Sequence, residues 1–64
     1  SRGVKVRCDE DGIVVDAYIV VSFGVRISEV VSEIQKKVKY VLEKSLQVNV
    51  TSVNVFVQGV KAID

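Results

Sequence analysis

The sequence predicts an α+β domain of order β-β-α-β: a three-stranded sheet with one helix packed on one face. Three observations carry this. Strict apolar-polar alternation runs from Gly3 to Asp9, and an alternation with Val53, Val55 and Val57 on one face resumes from Val53 to Gln58. An Asp11-Gly12 pair, a strong hairpin signal, divides the first alternating run from a second one rich in Val, Ile and Tyr. From Ile27 the apolar period changes from two to about 3.6, the period of an amphipathic helix.

The first strand, Gly3 to Asp9, sets Val4, Val6 and Cys8 on one side and Lys5, Arg7 and Asp9 on the other. The second runs from Ile13 to Phe23. With Asp11 and Gly12 as a two-residue turn, Glu10 faces Ile13, and Cys8, Val6 and Val4 face Val15, Ala17 and Ile19. That register also sets Arg7 opposite Asp16, a cross-strand pair worth about 0.2–1 kcal/mol. A three-residue loop would put Val6 opposite Asp16 and mix charged with apolar groups on both faces, so it is rejected.

Gly24 ends the second strand. The helix then places Val31, Ile34, Val38, Val41 and Leu42 on one face, with Ser28 as its expected N-cap. Glu29 and Glu33 near its start and Lys39 and Lys44 near its end suit the macrodipole. At 1.5 Å per residue, about 19 residues give roughly 28 Å, enough to cover a hairpin lengthwise. A polar passage from Gln47 to Ser52 precedes the third strand, which turns Val53, Val55 and Val57 to the helix side. The pattern leaves the place of this strand beside the hairpin open, and Gly59 to Asp64 reads as a tail. The expected core is Val4, Val6, Val15, Ala17, Ile19, Val21, Val53, Val55 and Val57 against the helix face.

A chain of 64 residues is a single domain, spanning 1-64. At about this size folding buries only some 60% of the unfolded surface, so the stability margin is thin. Nine Lys and Arg against eight Asp and Glu give a net charge of +1, without the basic footprint of a nucleic-acid binder. With no His there is no imidazole base or ligand, and the one Cys makes neither an intramolecular disulfide nor a thiolate zinc site. Cys8, in phase with Val4 and Val6, is expected to be buried and slow to react. Asp9-Glu10-Asp11 reaches Gly12 too early for a calcium loop. A single Gly24 cannot form a phosphate cradle, and Asn49-Val50-Thr51 fits the glycosylation rule only as a frequent short motif. No catalytic, cofactor or metal site is predicted.

The run Val14-Val15-Asp16-Ala17-Tyr18-Ile19-Val20-Val21-Ser22-Phe23-Gly24, then Ile27, Glu29-Val30, Ile34-Gln35 and Val53-Asn54-Val55-Phe56-Val57-Gln58-Gly59-Val60, resembles the alkaline shock protein family of bacteria. The opening Gly3-Val4-Lys5-Val6 agrees with it. Ser28 stands where Pro is common in that family and Gln47 where Gly is common, which alters caps alone. The resemblance covers the second part of the family's domain; with a start at Ser1-Arg2-Gly3 and no Met, the chain is expected to be a fragment of a longer one. It implies a cytoplasmic, non-enzymatic protein linked to the cell envelope and to stress. The expected role is a protein-interaction or scaffold module with protein partners, as a homo-oligomer or with a membrane-anchored protein partner, and with no small-molecule substrate. The alternative, a KH-like nucleic-acid-binding module, lacks the GxxG loop that clamps a backbone.

The surface expected to carry contacts is the sheet face turned away from the helix. There Val14, Tyr18, Val20 and Phe56 stand beside Lys5, Arg7, Asp16, Ser22, Asn54 and Gln58. Four large apolar side chains exceed what a solvated face needs, and such patches on small proteins mark interfaces, so the chain is expected to self-associate through this face or through the exposed edge strands next to it.

Overall fold

A computed structural model describes residues 3–62. The elements are β1 (Gly3–Asp9), β2 (Gly12–Ser22), α1 (Ile27–Leu46) and β3 (Val50–Lys61), the β-β-α-β order of an α+β domain. The sheet order is β1-β2-β3, with β1 antiparallel and β3 parallel to the central β2. Ser1, Arg2 and the last two residues of the expected tail, Ile63 and Asp64, lie outside the described residues.

The hairpin register differs from expectation by two residues. Asp9 pairs with Gly12 and Cys8 with Ile13, so Glu10 and Asp11 form the turn instead of Asp11 and Gly12. The cause is the Asp9 side chain, whose Oδ1 accepts from the backbone N–H groups of Asp11 and Gly12, both at 2.9 Å. A two-residue slip preserves the alternation, so every side chain keeps its expected face. Lys5, not Arg7, stands opposite Asp16, and Val14 stands opposite Arg7.

Gly12 has a second role. Its φ is +152°, and a Cβ built there would collide with the Asn49 carbonyl oxygen. That carbonyl accepts from Ile13 N at 2.9 Å, while the Asn49 side-chain amide donates to Asp11 O at 2.9 Å. Thr51 Oγ1 donates to Ile13 O at 3.0 Å, so both polar members of the Asn49-Val50-Thr51 triplet tie β3 to the hairpin end.

The helix starts one residue before the expected cap. Arg26 is the N-cap in extended conformation without a side-chain cap bond, and Ser28 lies inside the first turn. Arg26 instead bridges to Glu29 at 3.0 Å. The C-cap, Gln47, takes the left-handed conformation at φ 55° and its N–H donates to Glu43 O, doing as a non-glycine what Gly usually does there.

The core is narrower than expected. Val15, Val50 and Val53 form its buried centre, with Ile13, Val38, Leu42, Val48 and Val55 packed around them. The helix lies over β2 and β3, and β1 is exposed along its length. Val4 at 59%, Val6 at 54%, Val41 at 44% and Val57 at 37% exposure are therefore not core residues, and no helix residue is fully buried. Val50 is 2% exposed although it sits in the stretch expected to be a polar passage. β3 runs on to Lys61, through what reads in the sequence as the start of a tail.

Candidate interaction surface

The sheet face opposite the helix is built from alternate residues of three strands. β1 contributes Lys5 and Arg7; the parallel register sets Asp16 beside Asn54 and Tyr18 beside Phe56. The Tyr18 and Phe56 rings stack with centroids 5.0 Å apart and planes 17° from parallel, and Lys5 Nζ lies 5.9 Å above the Tyr18 ring. Thus two of the expected contact residues, Tyr18 and Phe56, touch across strands. Val14 is half-buried, Val20 is 49% exposed and Phe56 45% exposed. Val20 follows a bulge between Ile19 and Val20, where it meets Gly59, a residue without a side chain to cover it.

Beside the aromatic pair lies the one buried charged residue among those described, Asp16 at 7% exposure. Arg7 Nε and Nη2 donate to its two oxygens at 3.0 and 3.1 Å, and Asn54 Nδ2 donates to Oδ1 at 3.0 Å. These donors hold the Asp16 carboxyl below the usual carboxylate range, the Arg7 bond acting most and the Asn54 bond next. The same contact raises Arg7 further above its already high value. Sequence reading finds the Arg7 and Asp16 pair but not Asn54, whose role depends on β3 lying beside β2. The cluster is satisfied by its own members, which suits a rigid surface rather than a group poised for proton transfer.

Cys8 is exposed, contrary to expectation, because the helix leaves β1 uncovered. The Glu43 carboxylate accepts from Val50 N at 3.1 Å, and Gln35 Nε2 donates to Val53 O at 3.0 Å; both serve to seat the helix on β3. Among the described residues no group of three or more His, Cys, Asp or Glu is placed to hold a metal ion. No helix there is long and apolar enough to cross a membrane.

Comparison with known proteins gives the surface a setting. Residues 1–62 match the family model of the alkaline shock proteins, described as having a cell envelope-related function. The chain is 49% identical over 61 residues to the uncharacterized protein YloU of Bacillus subtilis (strain 168), which covers 95% of this chain and 51% of that protein. It is 46% identical over 63 residues to the uncharacterized protein Spy1614 of Streptococcus pyogenes serotype M6, covering 98% and 52%. A second Bacillus subtilis protein, the uncharacterized YqhY, is 33% identical over 61 residues, covering 95% and 45%. The chain thus spans about half the length of the curated relatives it matches. No solved structure matches it.

Proposed function

This chain belongs to the alkaline shock protein family, whose function is related to the cell envelope, and from that membership we propose that it is a non-enzymatic scaffold module whose sheet face docks on a second copy of itself. The observation that carries this reading is the stacked Tyr18 and Phe56 pair, flanked by Val14 and Val20 on a face that no helix covers. The ordered polar groups beside it, Arg7, Asp16 and Asn54, are spent on one another, so what the face offers is apolar area on a fixed frame.

Charge favours a second copy as the occupant. The hairpin end of the face carries Asp9, Glu10 and Asp11, while Lys61, beside Ser22, lies at the opposite end. Two copies packed face to face with strands running in opposite senses set the acidic end of each against the basic end of the other, and their aromatic pairs meet at the centre. Such self-complementarity is the requirement of a two-fold interface.

Sedimentation velocity at tens of micromolar tests this. The parent chain is expected to associate, and a Tyr18→Lys, Phe56→Lys double variant to sediment as a smaller species with an unchanged circular dichroism spectrum. A double variant that sediments as the parent does would show that the face carries no contact.

A further inference from the structure

The helix side of the molecule has a second bare region, over β1. Val38 and Leu42 pack toward β2 and β3, while Val4 and Val6 are 59% and 54% exposed and Cys8 is exposed beside them. Val4, Lys37, Val38, Val41 and Leu42 line a trough of about 280 Å³ between β1 and the helix. β1 is an edge strand, paired with β2 on one side alone. Of the usual guards of an edge it lacks Pro and a bulge in its ladder with β2, and its charged side chains, Lys5, Arg7 and Asp9, lie on the face away from the helix.

We propose that β1 pairs antiparallel with β1 of a second copy, centred on Arg7. Only registers that keep like faces together place apolar side chains against one another, which leaves five centres, Val4 to Cys8, and a centre at Val4 pairs only Gly3 to Lys5 of each strand. A centre at Lys5 sets Lys5 against Lys5 with no carboxylate opposite either, and a centre at Val6 sets Lys5 opposite Arg7 twice, a like-charge clash. A centre at Cys8 brings Arg7 to Asp9 but leaves just three residues of each strand paired, because β1 ends at Asp9. The centre at Arg7 sets Lys5 opposite the second copy's Asp9 twice and Val6 opposite its Cys8 twice. Its single like-charge meeting, Arg7 with Arg7, joins guanidinium groups that each already bind their own Asp16 at 3.0 and 3.1 Å.

This pairing makes a continuous six-stranded sheet with both helices on one face, and the two bare β1 strips merge into an apolar floor between them. The inference rests on the scaffold reading and supplies its geometry: a face contact and a separate edge contact give each copy two ways to bind another, so assembly proceeds beyond a dimer.

Two cysteine variants of the otherwise unaltered chain test the pairing against the native Cys8. Under mild oxidation with oxidised glutathione, Val6→Cys is expected to yield a disulfide-linked dimer, since position 6 faces Cys8 across the joined edges. Val4→Cys, which would face Glu10, is expected to stay at the level of the parent. In the parent, Cys8 meets Cys8 only diagonally, at roughly 8 Å between Cα atoms, too far for a bridge. Both substituted positions are exposed, so the variants are expected to keep the parent's circular dichroism. Linking by Val4→Cys in place of Val6→Cys would overturn the register, and no linking by either would overturn the pairing. The thiols lie on the helix side, away from Tyr18 and Phe56, so this result is independent of whether the open face makes its contact.

Discussion

Asp16 shows how one residue sets the chemistry of a whole face. Its carboxyl is held below the usual carboxylate range by Arg7 first and Asn54 second. A carboxyl with a folded value below its unfolded one stabilises the fold above the unfolded value, near pH 4, and that contribution is lost as pH falls through the folded value. The melting temperature of the parent is therefore expected to drop on acidification below about pH 4 more steeply than that of Asp16→Asn. Equal slopes for the two would show that the cluster contributes no linkage. Cys8 gives a second test at this scale. With β1 exposed, its thiol in chain diluted until it is monomeric is expected to react with an aromatic disulfide reagent about as fast as a small free thiol, and strong protection there would mean that the helix covers β1 after all. Gly12 gives a third: Gly12→Ala forces a Cβ into the Asn49 carbonyl at positive φ, and a loss of more than about 1 kcal/mol is expected in urea unfolding.

The elements were readable from the sequence to different depths. Alternation and the 3.6 period placed β1, β2 and α1 because each buries or presents one face, and parity survived the two-residue error in hairpin register. The error itself came from Asp9, whose carboxylate captures the two N–H groups of the turn and outweighs the Asp11-Gly12 signal. Val50 escaped notice because Asn49 and Thr51 flank it, and their polar side chains serve to bond the hairpin end rather than to face solvent. Which apolar residues of α1 and β1 are buried depends on where the helix lies across the sheet, which periodicity does not encode. Leu42→Ala, beside Val15, Val50 and Val53, is accordingly expected to cost about 2 kcal/mol, whereas Val41→Ala, 44% exposed, should cost well under about 1 kcal/mol. Equal costs in chemical unfolding would place the helix over β1.

For the whole molecule, a sheet covered on one face by a single helix has a small closed core and leaves two kinds of surface: an open aromatic face and the uncovered edge strand β1. The open face was visible in the sequence as four apolar residues on the wrong side of an alternating pattern. The stacking of Tyr18 on Phe56 was not, because it requires β3 to run parallel beside β2. The chain spans about half of its relatives, and within that span the aromatic face is the feature on which the proposed scaffold role rests. The most direct measurement is an isotope-filtered nuclear Overhauser experiment on a mixture of carbon-13-labelled and unlabelled chain. Contacts between the rings of Tyr18 and Phe56 in one copy and the same rings and the Val20 methyl groups in another are expected; a filtered spectrum in which those rings show no intermolecular contact would contradict the assignment of this face.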